Sequence, residues 1–543
     1  MTAIQVPVLI VGAGPVGLGL SLDLGGRGVD CLVIDQLADL SAGIKINPRA
    51  AAITPRTMEF CRRWGVAPRV RNAGFPEDYE LNLVYCTALD GYTVALNRFP
   101  SMRDRIPHPV SPETRQRCPQ IWFDPILVEG MAQFPGLTLK THCRFETFED
   151  KGDRVVARIR DLDKDEVQIV ECEYLIACDG SASGIRASLG VDTGGAGSLG
   201  YALNAVLDIP GFMGLHDKGQ AERYYFVDGR GIWSLLTVID GRERWRFGLM
   251  GTHDPADVEN ADLKAAIARA LGPKIAYEIV ATASWKRRES IADRFRVGRV
   301  ILAGDAAHSM APDLGLGMNT GAADAFDLGW KIEATRNGWG GSSLLDSYEP
   351  ERKPAARRNA EASTKTYRHL VTADADSHRV VEPGPLGDLA RKKMGDQLLG
   401  ALKVGWDTIG LAMGYYYENS PICVADGSPP PVEQGFGHYV QTSRPGSRAP
   451  HAWMADGRST IDLFGKGFTL LRFGDRDVSA LVDAAAGRGV PFTVVDIAEP
   501  PIRTLYEKEL VLVRPDGHVA WRSDDAPADP MWLIDRVRGA SVA

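Results

Sequence analysis

The hydrophobic residues near the start of the chain form two short continuous runs separated by a helical pattern. Residues 8–11 are all apolar, which is typical of a strand buried on both faces of a parallel sheet. A helical pattern follows from about residue 16 to residue 27, and Gly28 stands where a helix would end. A second apolar run then covers Cys31–Ile34. The pattern predicts a β-α-β unit, the building block of an α/β fold.

The middle of the chain has the pattern of an antiparallel sheet. Residues 82–98 and 201–251 are rich in β-forming side chains, and Asp228-Gly229-Arg230-Gly231 is a turn signal between two apolar runs. Residues 300–303 return to the fully apolar character of a parallel strand. We interpret the antiparallel strands as a second sheet inserted into the first domain.

The last part of the chain predicts a separate small domain. Residues 343–414 are mostly helical in pattern, and prolines at 429–431 and 445 mark a boundary after them. Two strand-like runs with an Ala-rich helix between them follow, and then a hairpin that turns at Pro515-Asp516-Gly517. This arrangement predicts an α/β domain of about 100 residues.

The expected fold class is α/β: a Rossmann-like domain, an inserted antiparallel-sheet domain that holds the substrate, and a C-terminal domain. A chain of 543 residues is long enough for several cores. The predicted Rossmann-like segments are 1–78, 116–200 and 295–420, the last with a helical region. The predicted inserted segments are 79–115 and 201–294, and the C-terminal domain is 440–543.

The composition of the chain argues against several classes of function but does not indicate a particular one. The net charge of −8 and the lack of a long basic run argue against nucleic acid as a partner. The eight cysteines are scattered with no C-x-x-C pair, so no metal site is expected, and a reduced cytoplasm fits. No apolar run has the length of a membrane span, and the first residues lack the pattern of a signal peptide.

The strongest local motif lies between the first predicted strand and helix, at Gly12-Ala13-Gly14-Pro15-Val16-Gly17. Its three glycines permit a tight turn, close approach of a pyrophosphate and close packing of helix on strand. Asp35, followed by Gln36, ends the second strand, where an acidic side chain holds a ribose hydroxyl. The motif predicts a dinucleotide site, and at this point FAD, NAD and a glycine loop without a ligand all remain open.

Two further motifs also follow apolar strands. Asp179 lies in Cys178-Asp179-Gly180 after one strand, and Gly304-Asp305 comes after another. Ligands of open α/β sheets bind at the carboxyl ends of the strands, where an acid can accept a hydrogen bond from a ribityl hydroxyl, although a lone Asp-Gly more often marks a simple turn. The three motifs in this order predict one site for FAD.

At these motifs the chain resembles the FAD-dependent aromatic hydroxylases, the class A flavoprotein monooxygenases typified by p-hydroxybenzoate hydroxylase. The likeness continues through residues 312–319, which resemble the family's loop beside the flavin ring. It also implies that Arg49 and Gln120 contact FAD. The residues of the loop are Pro312, Asp313, Leu314, Gly315, Leu316, Gly317, Met318 and Asn319.

A closer resemblance is to the phenol hydroxylase and 2,4-dichlorophenol hydroxylase branch. It rests on residues 55–59, 121–128, 319–331 and 445–451 and thus covers almost the whole chain. It implies a C-terminal thioredoxin-like domain. Because residues 473–477 contain no cysteine, we expect packing or dimerisation there rather than redox chemistry.

The resemblance implies an enzyme that consumes NADPH or NADH and O2 and hydroxylates a small aromatic or phenolic substrate through a C4a-hydroperoxyflavin. With one glycine fingerprint, the nicotinamide is expected to bind transiently. Two departures matter: the flavin-side loop begins Ala311-Pro312 rather than Pro-Pro, and residues 50–53 carry no acid. No catalytic base can be carried over from the family. A homodimer is also expected.

Four further residues are candidates for the site, and two other functions are compatible with the motifs. His308 fits a structural role or a base, and Tyr201 and Tyr225 fit either a substrate pocket or an ordinary core. Arg246 faces either an acidic substrate or solvent. The rival functions are a tailoring oxygenase for polyketides or other polycyclic compounds and, in a different class, a flavin-binding redox sensor. The flavin-side loop argues against the sensor.

Overall fold

The computed structural model describes residues 3–40, 52–252, 260–370, 377–406, 408–431 and 435–540. The strands, in chain order, are β1 Ile4–Val11, β2 Cys31–Ile34, β3 Ala52–Ile53, β4 Leu83–Cys86, β5 Thr93–Asn97, β6 Gln116–Arg117, β7 Leu137–Lys140, β8 Cys143–Asp150, β9 Val155–Asp161, β10 Glu166–Ala177, β11 Thr193–Asp208, β12 Arg223–Asp228, β13 Gly231–Val238, β14 Arg244–Thr252, β15 Glu278–Ala292, β16 Arg296–Val297, β17 Val300–Leu302, β18 His308–Ser309, β19 Phe468–Arg472, β20 Phe492–Asp496, β21 Leu510–Val513 and β22 Val519–Ser523.

The helices lie mostly where strands of the first sheet end and in the last third of the chain. They are α1 Pro15–Gly26, α2 Pro55–Arg63, α3 Ala67–Arg71, α4 Gln120–Met131, α5 Gly184–Ser188, α6 Leu263–Leu271, α7 Gly317–Arg336, α8 Tyr348–Leu370, α9 Pro385–Trp406, α10 Ile409–Met413, α11 Ser479–Gly487, α12 Pro500–Tyr506 and α13 Pro530–Val537. Short 3-10 turns cover Phe212–Gly214, Gly304–Ala306, Pro312–Leu314, Leu345–Ser347, Ser377–Val381 and Thr460–Leu463.

The first sheet has the parallel core that the apolar runs predict. Its central strands run in the order β7-β2-β1-β10-β17, all parallel, so the first β-α-β unit is confirmed. β8 and β9 extend β10 in antiparallel fashion, and β16 closes the edge beside β17. The carboxyl ends of β1, β10 and β17 therefore lie side by side, which brings the three glycine-containing motifs together.

The second sheet is the inserted antiparallel one. Its order is β18-β15-β11-β14-β13-β12-β4-β5, and only β12 and β4 pair in parallel among the described strands. α6 covers one face, where it buries an apolar cluster that includes Trp245 and Phe247. The opposite face turns toward the loop at 312–317. β11 begins at Thr193 and so crosses the boundary that we predicted at residue 200.

The C-terminal sheet has the order β20-β19-β21-β22, with β19 and β20 parallel and the other pairs antiparallel. α11 and α13 share one apolar cluster with this sheet. A parallel β-α-β unit followed by an antiparallel hairpin and a helix is the thioredoxin-like arrangement. The predicted hairpin turn is confirmed, with Gly517 at a φ of +81°.

Buried ion pairs hold the C-terminal domain against the rest of the protein. Arg514, from the end of β21, is fully buried and contacts Asp327 of α7 at 3.1 Å and Glu351 of α8 at 2.6 Å. It also binds Asp516 in its own hairpin at 2.7 Å. Because burying a charge without a partner is expensive, these contacts fix the orientation of the two bodies.

No helix in the described ranges is both long and apolar enough to cross a bilayer.

Candidate active site

The first glycine motif forms the tight turn between β1 and α1. Gly12 has a φ of +107°, and a Cβ added there would lie 2.3 Å from the carbonyl oxygen of Cys178. A Cβ on Gly17 would lie 2.1 Å from the carbonyl oxygen of Gly12. Both positions therefore require glycine, because the turn, the helix and the end of β10 approach too closely for any side chain.

Gly14 lies in the same turn but faces open space. No atom lies within 4 Å of a Cβ built on it. It precedes Pro15 at the start of α1, which has no side-chain cap and no acidic residue in its first turn. The N–H groups and the positive end of the helix dipole thus face room in which a pyrophosphate fits. Val16 packs on the far side, against Gly304 and Gly321.

Asp35 holds the glycine turn in shape. Its Oδ2 accepts a hydrogen bond from the backbone N–H of Ala13 at 2.9 Å, and its Oδ1 accepts one from Leu37 at 2.9 Å. Gln36 is exposed beside it. The carboxylate therefore stands at the end of β2 where the sequence predicts a ribose ligand, and it has lone pairs left to accept a hydroxyl. That role remains a prediction.

Asp179 has an oxygen that no group in the protein uses. Its Oδ2 accepts the N–H of Ile185 at 3.2 Å, whereas its buried Oδ1 has no hydrogen-bond partner. Arg186 follows in the same turn and donates to the carbonyl of Ala306 at 2.7 Å. This bond ties the Asp179 motif to the Gly304-Asp305 motif on the next strand. Asp305 is half-buried there, in the turn that follows β17.

His308 is a buried supporting group. Its Nε2 lies 2.6 Å from Oδ2 of Asp324, and both side chains are fully buried. The same Oδ2 accepts the backbone N–H of Gly304 at 3.1 Å, and Oδ1 accepts Nε of Arg352 at 2.8 Å. Burial alone would raise the pKa of Asp324, but His308 and Arg352 hold it below its usual value. This arrangement favours the structural role for His308, because the histidine fixes the turn that carries Asp305.

Asn319 organises the flavin-side loop. Pro312–Leu314 forms a 3-10 turn, Gly315 ends it with a φ of +65°, and Gly317 begins α7 after Leu316. The amide of Asn319 donates to the carbonyls of Gly315 at 2.6 Å and Ala52 at 2.9 Å. One side chain thus closes the loop and attaches it to β3. Met318, next to it, is half-buried against the main core.

Asp124 is a residue that the sequence motifs did not single out. It lies on α4 with 3% of its surface exposed, and its Oδ1 has no hydrogen-bond partner. Gln120, the predicted FAD contact, begins that helix and donates to Oδ2 of Asp124 at 2.9 Å. Burial, with a smaller contribution from Asp35, raises the pKa of Asp124 to about 7 although the bond from Gln120 lowers it. Arg49 lies outside the described residues.

Arginines gather on the face of the second sheet that turns toward the flavin-side loop. Arg223 on β12, Thr237 on β13 and Arg246 on β14 are direct cross-strand neighbours, so their side chains share one face. Arg246 is half-buried on this face rather than exposed. Burial, followed by the charges of Arg223, Arg117 and Arg287, lowers its pKa to about 10.

Two described carboxylates stand against this positive charge. Glu222 is buried and binds Arg117 at 2.6 Å; burial opposes its ionisation, but the surrounding arginines hold its pKa below its usual value. Asp313, from the flavin-side loop, lies 3.7 Å from Nε of Arg287. Burial raises its pKa despite the arginines nearby. We define the arginine row as Arg223, Arg246 and Arg287 of this face together with Arg105, Arg115 and Arg117, which come from the chain before β6 and from β6 itself and lie near Glu222 or Arg246.

The aromatic candidates occupy two environments. Tyr225 is buried and stacks on Tyr85 with ring centroids 4.9 Å apart, and its hydroxyl accepts a bond from Arg223 at 3.3 Å. Burial raises the pKa of Tyr225, although Arg223 opposes this effect. Tyr201 is half-buried on β11, where the ammonium of Lys286 lies 5.6 Å from its ring centroid. Tyr225 therefore belongs to the arginine face, and Tyr201 lies beside Lys286 of β15.

Two protein-family models together match most of the chain. The model of the FAD binding domain family matches residues 5–363, and the model of the aromatic-ring hydroxylase C-terminal domain matches residues 442–540. The chain belongs to the FAD-dependent aromatic-ring hydroxylases. It is thus a monooxygenase that uses FAD, NAD(P)H and O2 to hydroxylate an aromatic ring, and the sensor alternative is set aside.

Relatives and solved structures agree over nearly the full length. Tetracenomycin B2 monooxygenase-dioxygenase of Streptomyces olivaceus is 31% identical, over 99% of this chain and 98% of the relative. 2,4-Dichlorophenol 6-monooxygenase of Cupriavidus pinatubonensis is 29% identical, over 97% and 94%. The structure of RebC soaked with chromopyrrolic acid, with bound 7-carboxy-K252c, superposes with a TM-score of 0.92. It is 36% identical and covers 99% of this chain and 100% of that one.

The residues of this hydroxylase fit FAD. The open space at Gly14 and the uncapped start of α1 suit the pyrophosphate, and the unused oxygen of Asp179 suits a hydroxyl donor. When bound, FAD supplies hydride acceptance from NAD(P)H and activation of O2. The protein supplies the fixed turns and the positive end of α7.

Proposed function

We propose that this enzyme hydroxylates a fused-ring aromatic compound that carries an acidic group, held between the second sheet and the flavin-side loop. The observation that carries the proposal is the arginine row, in which Arg287 is buried and its Nη1 has no hydrogen-bond partner, while Arg246 lies half-buried on the same face. A buried guanidinium donor without an acceptor is costly, and an anionic ligand relieves this cost. The row lies directly beside the loop that carries Asp313.

Two relatives support the size and the charge of this substrate. RebC, at 36% identity, has been seen with bound 7-carboxy-K252c, and aklavinone-11 hydroxylase, at 28%, with FAD and aklavinone. Named relatives also include polyketide hydroxylases. These names favour a tailoring role on polycyclic compounds over the oxidation of a simple phenol. Arg287 is 95% buried, and its Nη1 has no hydrogen-bond partner, which leaves a donor for the acid.

The proposal is tested with a matched pair of probes, 1-hydroxy-2-naphthoate and 1-hydroxy-2-naphthamide. Their dissociation constants are measured from the change in flavin absorbance of the FAD-loaded enzyme. The acid should bind more tightly than the amide, and Arg246→Met should weaken the acid at least about tenfold while changing the amide little. Arg242→Met, at an exposed turn of the same sheet, is the control. Equal affinities of the wild type for both probes would refute the acidic substrate.

Four finer points also remain proposals. The segment boundaries given above and the roles of the individual site residues rest on the motifs and on the contacts described. The homodimer rests on the C-terminal domain that the family resemblance implies, and the cytoplasmic location rests on the scattered cysteines. Sedimentation equilibrium of the FAD-loaded protein tests the dimer, because a single species at the mass of one chain would contradict it.

A further inference from the structure

A second cavity lies away from the arginine row, where the C-terminal domain meets the catalytic body. Its volume is about 330 Å³, which is within the range of small-molecule sites. One wall comes from α8 and α10, and the other from the chain that leads into β19. Its lining includes Tyr415, Pro429, Tyr439, Arg444 and Ser447.

Four polar groups of this lining have hydrogen-bonding capacity that the protein does not use: the hydroxyls of Ser447 and Tyr439, and Nη1 of Arg444 and of Arg448. Ser447 has 4% of its surface exposed, and its hydroxyl has no hydrogen-bond partner. Arg444 has 8% exposed, and its Nη1 also has none. Buried donors are nearly always satisfied in proteins, so several such groups in the lining of one cavity indicate a missing acceptor.

Arg444 and Arg522 of the lining are also paired with carboxylates. Nη2 of Arg444 binds Glu418 at 3.1 Å, and its Nε donates to the carbonyl of Ser428 at 3.2 Å. Arg522 binds Glu507 at 2.6 Å, so the carboxylate in the lining is neutralised. The unused donors therefore face no competing negative charge from the described lining.

We propose that this cavity binds a small organic carboxylate at a site distinct from the substrate site. The carboxylate accepts from Nη1 of Arg444 and from the hydroxyl of Ser447, which leaves both groups satisfied. The flat walls of Tyr415, Tyr439 and Pro429 suit a body about the size of one ring. The site adds a binding function to the interface between the two bodies.

The test is a fluorine NMR titration of the full-length, FAD-loaded enzyme with 4-fluorobenzoate and, separately, 4-fluorobenzamide. It is run in an Arg246→Met background, so that binding of the acid at the substrate site is already weakened. Ser447→Ala removes only the unused hydroxyl, and Arg444→Gln removes the unused guanidinium donor. Arg476→Gln, in an exposed ion pair of the same domain, is the matched control.

The proposal predicts that the benzoate binds in the Arg246→Met background and in the Arg476→Gln control. It predicts a loss of affinity of about tenfold or more in Ser447→Ala and in Arg444→Gln, and weaker binding of the benzamide than of the acid. Ser447→Ala should fold normally, because no hydrogen bond of its side chain is lost. Unchanged affinity in Ser447→Ala, equal affinity for acid and amide, or no binding of the acid would each overturn the proposal.

Discussion

The side chain of Asn319 accepts a hydrogen bond from the backbone N–H of Thr54 at 3.0 Å across 265 residues of sequence. The same oxygen accepts the hydroxyl of Thr57 at 2.7 Å, while the amide nitrogen donates to Ala52 and Gly315. One carboxamide therefore joins β3, the start of α2 and the flavin-side loop. Asn319 is therefore one of the anchors of this loop.

Replacing Asn319 by Ala should destabilise the protein by about 2–4 kcal/mol and loosen FAD, because it leaves the N–H of Thr54 and two carbonyl groups without partners. Thermal unfolding and the rate of FAD release by dialysis measure the two effects. Thr57→Val removes one of the four bonds of Asn319, together with the contact between the hydroxyls of Thr57 and Thr54, and should have a smaller effect. An Asn319→Ala protein that retains FAD like the wild type would show that the loop is held by other contacts.

Replacing Asp305 by Ala should weaken FAD by roughly ten- to a hundredfold, since a charge-assisted hydrogen bond contributes about 1.5–3 kcal/mol. Asp305 is half-buried at the carboxyl end of β17, in a turn that His308 and Asp324 fix from behind. Equilibrium dialysis gives the dissociation constant of FAD. Asp475→Ala, in the C-terminal domain, is the control. If the Asp305 variant stays fully yellow after extensive dialysis, the assignment of this carboxylate is wrong.

The sequence predicts the parts of the site that depend on local geometry. Gly12 and Gly17 follow from the tight approach of backbone in the turn, and the order of strands and motifs places Asp179 and Asp305 at one edge. Other β-α-β units with a glycine turn have the same features. A single sequence is therefore enough to predict them.

The remaining features depend on pairings that no local pattern encodes. Asp324 meets Gly304 and Arg352 only after three separate segments have packed together. From the sequence alone, Arg246 could equally be an exposed residue. Only the register of β12, β13 and β14 places it on the same face as Arg223. Asp124 lies on a helix whose pattern gives no sign that its carboxylate is buried.

Asp124 should make the stability of the FAD-free protein depend on pH. Its pKa is about 7 in the folded protein and about 4 when unfolded, so the folded state binds more protons between those values. Stability is therefore lost as the pH rises from about 4 through about 7, by up to about 4 kcal/mol. Urea unfolding of wild type and Asp124→Asn across this range measures the difference. The Asn variant should gain relative stability as pH rises, and parallel curves would contradict the buried acid.

Replacing Arg514 by Met should destabilise the whole enzyme by about 3–5 kcal/mol, because Asp327, Glu351 and Asp516 stay buried and only Lys331 remains as a cation for the first two. Arg472→Met, which breaks an exposed ion pair with Asp496 in the same domain, should cost less than about 1 kcal/mol. Denaturant unfolding of both variants gives the comparison. A small and equal effect in the two would mean that the interface between the bodies does not depend on the buried charges.

The aromatic substrate should control oxygen transfer by this enzyme, and labelled oxygen makes this control measurable. The FAD-loaded enzyme is given NADH or NADPH under ¹⁸O₂, with and without a panel of hydroxylated fused-ring carboxylic acids and their amides. NAD(P)H oxidation should be slow alone and rise many-fold with an acid that binds, and the product should carry one ¹⁸O on its ring. No acceleration by any member of the panel would contradict the proposed substrate class. A product that takes its new oxygen from water would contradict the monooxygenase account itself.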